Sequence, residues 1–322
     1  MALATNVRSP RQVALLVAIQ PTKGTPLLNF SAATVAFSTA PEIPISPEKS
    51  EEEKWMAETL ASAATDTFNT GDQPEGRIVA PATPAVLDLL LRSNWGNKTG
   101  NDYNLKSQIN EWLTLAWVEW TAAGNIGKVV RIQDVWVPKL HIHVPYPGGF
   151  IRLSGEFRGR KILPDTKGSG GVTLPASFAN ERNPFTIGDD TTFIKDPAGA
   201  LVDLRLRELN ITLDQNPAPH RWDMGDLMHD VYKAGPAQVR VDFRAEVADE
   251  GWSLIQDSRD DVKHQFEFTA TTENPIKTLT LTMNKLGFKF KELGHSGKAM
   301  REIQGSGRAL LDDDEMTLIS IT

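Results

Sequence analysis

The sequence predicts a mainly β protein with a few short flanking helices, and three observations support this fold class. Residues 238–246 read QVRVDFRAE, a strict alternation of polar and apolar side chains. Looser versions of the pattern recur at 204–213, 264–270, 277–283, 288–291 and 316–321. No catalytic motif interrupts these segments. Because successive side chains of a strand point to opposite faces, such runs are typical of half-buried strands.

The run at 238–246 also predicts how its sheet meets solvent. Its valines and Phe243 would share one face of the strand, and Arg240, Asp242 and Arg244 would share the other. A face that carries both signs of charge suits an antiparallel sheet that packs against a core on one side only.

The composition is that of an ordinary globular protein. The 322 residues suffice for one large or two moderate domains, and 40% of them are hydrophobic. The chain has no cysteine, which excludes disulfides, thiol catalysis and cysteine-ligated metals. Its net charge of −7 argues against tight binding of phosphate groups. We expect neither a signal peptide nor a membrane span, because no apolar run has the length that either requires.

Residues 1–161 are predicted to form an N-terminal half with strands at 12–19, 32–37, 112–120, 129–135, 139–144 and 150–157. A long acidic insertion occupies 39–76. Ser50 and Glu53 fit a helix capping box there, so a helix is expected over 46–65. A second helix is expected over 85–93, because Thr83 can cap its first turn and Pro84 suits its first position.

The C-terminal half is predicted to span 201–322. A connection at 162–200, rich in Gly, Pro, Ser and Asp, would join the two halves flexibly. Short helices are expected at 223–232 and 251–260, between the alternating runs. Each half would then contain several antiparallel strands and at least one helix, a weak duplication of architecture.

His141 and His143 are the best candidates for a metal site. Two imidazoles on one face of a strand can bind zinc or iron if a carboxylate or another ligand converges on them. The spacing of the chain offers no third ligand, so the pair is more simply the wet face of an amphipathic strand. The glycine-rich run at 167–171 reads as a linker, and the acidic run at 312–315 as a turn. We therefore predict no catalytic residue, no metal and no cofactor.

Two charged groups predict contacts between copies of the chain. One is acidic and the other basic, and complementary charge mainly sets the register and the choice of partner. The alternative is a hairpin end that charge keeps soluble. The residues concerned are Glu51, Glu52, Glu53 and Trp55 in the insertion, and Arg158, Arg160 and Lys161 at the end of the N-terminal half.

Four tryptophans fall in one block of predicted strands, at positions 112, 117, 120 and 136. Large aromatic rings commonly fill the core of a sheet. Carbohydrate-binding modules, in contrast, use exposed rings as platforms. The clustering within strands favours the core.

The order of several segments is informative. Five segments follow one another along the chain. The first three are ALLVAIQPTKGTP at 14–26, LLLRSNWG at the end of the predicted helix (89–96), and the stretch within 130–155 that begins with RIQDVWVPKLHI and ends with GGFIRLSG. The last two are VDLRLRELNITLDQN at 202–216 and the alternating strand at 237–247. In this order and spacing, the segments resemble the tail tube proteins, or major tail proteins, of long-tailed bacteriophages of the siphophage type. The resemblance spans nearly the whole chain. Residues 131–134 depart from it, since a small, glycine-bearing turn would be expected there.

The resemblance implies a β-sandwich or half-barrel with a flanking helix, and subunits that assemble into rings stacked as a hollow tube for DNA ejection. It implies a location in the virion tail after assembly in the host cytoplasm. The partners would be other copies of the chain together with the tape-measure, terminator and distal tail proteins, and DNA would pass an acidic inner wall without specific binding. Two tube-like halves would let three copies form a pseudo-hexameric ring, whereas a single elaborated domain would require six copies.

Two other classes of function stay open from the sequence. One is a β-sandwich adhesin or receptor-binding module that uses exposed tryptophans. The other is a metal-dependent enzyme built around His141 and His143.

Overall fold

A computed structural model describes residues 13–37, 48–56, 61–71, 74–96, 98–103, 111–120, 126–145, 149–165, 172–175, 183–187, 192–202, 204–216, 221–222, 229–230, 237–247, 251–296, 300–310 and 318–322. Strands dominate the described part, with only two helices, so the prediction of a mainly β protein with few helices is confirmed.

The first eleven strands are β1 (Val13–Gln20), β2 (Val35–Phe37), β3 (Glu48–Met56), β4 (Ala61–Gly71), β5 (Glu75–Pro81), β6 (Lys98–Thr99), β7 (Asp102–Tyr103), β8 (Trp112–Trp120), β9 (Ile126–Pro145), β10 (Arg152–Arg158) and β11 (Lys161–Asp165). The others are β12 (Thr192–Lys195), β13 (Leu204–Asp214), β14 (Arg221–Trp222), β15 (His229–Asp230), β16 (Gln238–Val247), β17 (His264–Thr271), β18 (Thr278–Ser296), β19 (Met300–Ala309) and β20 (Leu318–Ile321). The helices are α1 (Pro84–Asn94) and α2 (Gly251–Arg259).

Sixteen strands form one antiparallel sheet, whose central path runs β2-β1-β8-β9-β13-β16-β19-β18-β20-β7-β6. β5 and β10 extend it beside β9, and β12 and β17 extend it beside β18. The sheet is continuous across the connection predicted at 162–200, because β9 pairs directly with β13. That connection itself contributes β11 and β12, while residues 166–171 lie outside the described part.

β9 merges two strands that the sequence predicted separately, at 129–135 and 139–144. The chain bends inside it at Asp134, which has a φ of 52°. Before the bend β9 pairs with β8 and β11, and after the bend it pairs with β10 and β13. β18 likewise merges the runs predicted at 277–283 and 288–291, first pairing with β17 and β20 and then with β19.

The main core lines the inner face of this sheet and includes the buried side of α1 and Leu254 of α2. Thr83 caps the helix as predicted: its Oγ1 accepts a hydrogen bond from the Val86 backbone N–H at 3.4 Å. Leu87, Leu90 and Leu91 are fully buried and form the apolar stripe of the helix. At its last turn, Arg92 Nε donates to a carboxylate oxygen of Glu111 at 2.6 Å, which ties the helix end to the start of β8.

A second, smaller core covers the other face of β1, β8 and the first part of β9. Leu16, Ala116 and Val118 point into it and are fully buried. Phe30 and Val172 close it from outside. This part of the sheet is therefore apolar on both faces, which explains why strict alternation is weak in its sequence.

Two glycines let aromatic rings lie flat across neighbouring strands. A Cβ on Gly305 would lie 2.5 Å from the ring of Phe243, its partner on β16, and a Cβ on Gly76 would lie 2.6 Å from the ring of Phe157, its partner on β10. The ring of each phenylalanine covers backbone that glycine leaves bare, which pins the register of both pairs.

The helix predicted over 46–65 is wrong, because the structure has β3 and β4 there, paired as an antiparallel hairpin. The capping signals of Ser50 and Glu53 are local and weak, and a short helix needs packing on an apolar stripe to be stable. The threonines of β4 favour a strand. Of the helix predicted over 223–232, the described residues His229–Asp230 form a strand instead. The helix expected at 251–260 is confirmed as α2.

Candidate functional site

The open region of the sheet, made of β5, β10, the second part of β9, β13, β16 and β19, buries one face and leaves the other in solvent. We call the solvent-facing side of this region the wet face. The register of the paired strands places polar side chains side by side on it. One row runs Ser154–His141–Thr212–Arg240–Arg308, and the next runs Arg152–His143–Asn210–Asp242–Ser306. The prediction that 238–246 has a charged outer face is confirmed, since Arg240 and Arg244 are exposed whereas Val239 and Val241 are buried.

His141 and His143 lie at the centre of the wet face, each held by a side chain of β13. His141 Nδ1 lies 3.1 Å from Thr212 Oγ1, and His143 Nδ1 lies 2.6 Å from Asn210 Oδ1. Asn210 Nδ2 donates to Glu208 at 3.0 Å, which orients the amide so that its oxygen faces the imidazole. A carbonyl oxygen only accepts, so His143 carries its hydrogen on Nδ1.

Burial and nearby positive charge disfavour the protonated form of His141. Partial burial, followed by the positive charge of Lys139, lowers its pKa below the ordinary value, and Arg77 adds to this effect. Glu156 acts in the opposite direction, with Oε1 3.7 Å from His141 Nε2. Among the residues that the structure describes, no group of three His, Asp or Glu side chains is placed to hold a metal ion. The metal hypothesis for the histidine pair thus has no third ligand in that part of the chain.

β5 is an edge strand, and its outer side carries backbone groups that face solvent. Just beyond the strand, the Ala82 backbone N–H donates to the Ile151 carbonyl at 2.8 Å. Hydrogen-bonding positions alternate along an antiparallel strand. The even-numbered residues of β5 therefore bond to β10, and Arg77 and Val79 direct their N–H and C=O groups outwards. No other strand in the described ranges pairs with this edge.

One exposed apolar side chain lies on β5 itself, and another lies just before β10. Val79 is 54% exposed and Phe150 is 41% exposed, both unusually high for large apolar side chains. The guanidinium of Arg152 stacks over the Phe150 ring, with Cζ 5.5 Å from the centroid. The edge thus offers free hydrogen-bonding groups and an apolar contact together.

The basic residues predicted to contact another copy are engaged within the chain. Arg158 Nε lies 2.9 Å from a carboxylate oxygen of Glu75 on β5. Arg160 Nη1 lies 3.6 Å from Asp134 Oδ2, and its side chain is only 17% exposed. Lys161 is partly exposed and begins β11. The acidic residues Glu51, Glu52 and Glu53, together with Trp55, lie on β3, and their side chains are outside the described part. The contact between copies stays a prediction.

Asp134 is a residue that the sequence analysis did not single out as a site. It is fully buried, and its Oδ1 accepts hydrogen bonds from Gln20 Nε2 at 2.5 Å and from the Gly24 backbone N–H at 2.6 Å. Its backbone N–H donates to Gln20 Oε1 at 3.1 Å. This carboxylate therefore fastens the loop after β1 to the bend in β9. The one sequence signal was the departure at 131–134 from a glycine-bearing turn, since Asp tolerates the positive φ that glycine would otherwise supply.

The tryptophan rings that the structure describes favour the core. Trp95, Trp112 and Trp136 are buried, and Trp117 and Trp120 are partly buried. Within those same ranges no tryptophan is among the exposed large apolar residues. An exposed aromatic platform for carbohydrate is thus not formed by this set.

Comparison with protein-family models and with curated proteins finds no match to this chain. Neither of the two described helices is long and apolar enough to cross a membrane. The resemblance to tail tube proteins therefore depends on the sequence segments alone, and the functional argument depends on the geometry of the open region.

Proposed function

We propose that this chain is a structural subunit that joins copies of itself, edge to edge, into the stacked rings of a bacteriophage tail tube. The observation that carries the proposal is the edge of β5, where Arg77 and Val79 offer outward backbone groups beside an exposed apolar side chain. Unpaired sheet edges favour pairing with another strand, and natural proteins usually blunt or cover them. A ring in which each edge meets the next subunit removes such edges by closure.

The one-sided sheet supports the same proposal. A face that is wet and carries both signs of charge can line a surface over which a polyanion passes without adhering, whereas the buried face carries the stability of the subunit. In this proposal the tube conducts DNA during ejection, and its neighbours are the tape-measure, terminator and distal tail proteins. Three copies with two tube-like halves, or six copies with one elaborated domain, would complete a ring.

A proline at position 79 tests the proposal sharply. The Val79 N–H takes no part in the β5–β10 ladder, so Val79→Pro removes an outward donor and leaves the internal hydrogen bonds intact. We expect wild-type protein to form rings or tubes of uniform bore in negative-stain micrographs. We expect the proline variant to remain monomeric, with a free energy of unfolding changed by less than about 1 kcal/mol.

The matched control is Val79→Thr, which keeps both the N–H and the branched shape and should still assemble. A wild-type protein that stays monomeric at every concentration would contradict the proposal. So would a proline variant that assembles as well as the threonine variant. Binding to a glycan array by the monomer would instead support an adhesin.

A further inference from the structure

A row of cationic side chains crosses the wet face at the far side of the open region, away from β5. Arg240 on β16 lies directly opposite Arg308 on β19, and Arg308 lies opposite Gly287 on β18. Lys263 extends over that glycine: its Nζ lies 3.6 Å from the position that a Gly287 Cβ would occupy. Lys263, Arg308 and Arg240 thus form a line across three neighbouring strands, which we name the cationic row.

Such a row is unfavourable in the isolated subunit. Like charges directly opposite each other on antiparallel strands are destabilising. Arg240 is partly compensated, because it donates to Asp242 at 2.8 Å, and Lys263 pairs with Asp261. Arg308 is exposed and makes no ion pair with any residue in the described ranges. The same holds for Lys289, which is exposed on the same face and lies opposite Ser306. Arg308 and Lys289 are thus uncompensated in a chain whose net charge is −7.

We propose that the cationic row and its neighbour Lys289 receive the acidic strand β3 of a second copy of this chain. β3 carries four glutamates, at positions 48, 51, 52 and 53. It pairs only with β4 among the described strands, and an isolated two-stranded hairpin is marginally stable in water. Docking on a cationic surface would stabilise such a hairpin. The inference rests on the proposed self-assembly and names one of its contacts.

The structure favours this site over the basic group that the sequence suggested for the same acidic residues. Arg158 and Arg160 are already engaged by Glu75 and by the buried Asp134. Arg308 and Lys289, in contrast, are exposed and uncompensated. The interspersed carboxylates Asp242 and Asp261, together with the overall negative charge, favour an acidic protein segment over the denser charge of DNA as the occupant.

Charge reversal on each side tests the contact. The row variant carries Arg308→Glu and Lys289→Glu, and the hairpin variant carries Glu51→Arg, Glu52→Arg and Glu53→Arg. We expect each variant alone to raise the concentration needed for assembly about tenfold or more, measured by sedimentation velocity, because like charges then face each other. An equimolar mixture of the two variants should assemble better than either alone. The control Arg259→Glu reverses an exposed charge on α2, outside the wet face, and should assemble as wild type does.

Each outcome has a distinct meaning. Wild-type protein that never assembles contradicts the proposed function itself. Wild-type assembly together with normal assembly of the row variant overturns only this inference. If both variants are impaired and their mixture is not rescued, the hairpin does not dock between copies, and the inference is overturned. If the row variant assembles normally but loses binding to a short DNA duplex in fluorescence anisotropy, the row is a phosphate site and the inference is likewise overturned.

Discussion

The two ends of β9 lie in two contrasting environments. Before Asp134, the strand belongs to an enclosed region with β1 and β8, where Leu115 points into the main core and Leu16 into the smaller one. After Asp134, it belongs to the open region, where Leu140 and Ile142 are buried and His141 and His143 face solvent. One strand thus changes from a two-sided to a one-sided environment within a single bend.

The difference between the two regions suggests that one mainly stabilises the subunit and the other makes its contacts with partners. Apolar side chains cover both faces of the enclosed region among the described residues, so its main contribution is to hold the subunit together. The open region stabilises the subunit with one face and keeps the other face, with its edge at β5, available for contacts. Substitutions that distinguish the two regions should therefore divide into those that change unfolding and those that change assembly.

The largest effect is expected at the bend that joins the two regions. Asp134→Ala removes the acceptor of the Gly24 N–H and one of the two acceptors of Gln20 Nε2, takes a carboxylate away from Arg160, and places alanine at a positive φ. We expect a loss of about 3–5 kcal/mol in the free energy of unfolding, measured by urea titration. Asp134→Asn keeps the acceptor oxygen and a side chain that tolerates this φ, so it should cost clearly less. Equal losses for both variants would show that the hydrogen bonds at Oδ1 are not what holds the bend.

Alanine substitutions on opposite faces sharpen the comparison directly. In the enclosed region, Leu16→Ala and Leu115→Ala should each cost about 2–5 kcal/mol, because both side chains are fully buried on opposite faces of the sheet. In the open region, Leu213→Ala should cost a similar amount, whereas its neighbour Thr212→Ala should cost less than about 1 kcal/mol. The measurement is equilibrium unfolding of all four variants. A Leu16→Ala variant as stable as wild type would show that the smaller core is not a stabilising layer.

A smaller loss of stability is expected for a substitution on β19, whose residues alternate between the buried face and the wet face. Gly305→Ala places a methyl group against the Phe243 ring and should cost about 1–3 kcal/mol through overpacking. Ser306→Ala, on the adjacent wet face, should be nearly neutral in unfolding. Thermal unfolding of the two variants checks this, and a neutral Gly305→Ala would mean that the Phe243 ring moves aside freely.

Sequence reasoning identified four strands of the open region, the second part of β9, β10, β13 and β16, because one wet face imposes alternation on them. It also placed α1, whose start is marked by a cap and a proline. It did not predict β5 or β19, whose sequences alternate less clearly. It also did not predict features that depend on contacts between residues far apart in sequence. The continuity of β9 through Asp134 depends on hydrogen bonds to Gln20 and Gly24, more than 100 residues away in sequence.

The candidate site was less predictable than the fold. Charge alone selected Arg158 and Arg160, but partners contributed by other strands neutralise them in the folded chain. The exposed edge of β5 was hidden because EGRIVAP shows no strong alternation, and only the sheet order identifies it as an edge. Arg308 is opposite Arg240 only because β16 and β19 pair in one particular register.

The smallest expected effect is the change in stability with pH that arises from His141 on the wet face. Because the pKa of His141 is lowered in the folded chain, the unfolded chain binds the proton first as pH falls below about 6.5. The folded state therefore loses stability between that pH and the lower folded pKa, whereas above about pH 7 the group contributes nothing to the pH dependence. We expect the Tm of wild type to fall slightly more than that of His141→Gln as the pH is lowered through this window. In an NMR titration, Lys139→Gln should raise the pKa of His141 and Glu156→Gln should lower it further. Unchanged values in both variants would mean that burial alone sets this pKa, and the charges of the wet face would then be too well solvated to influence one another.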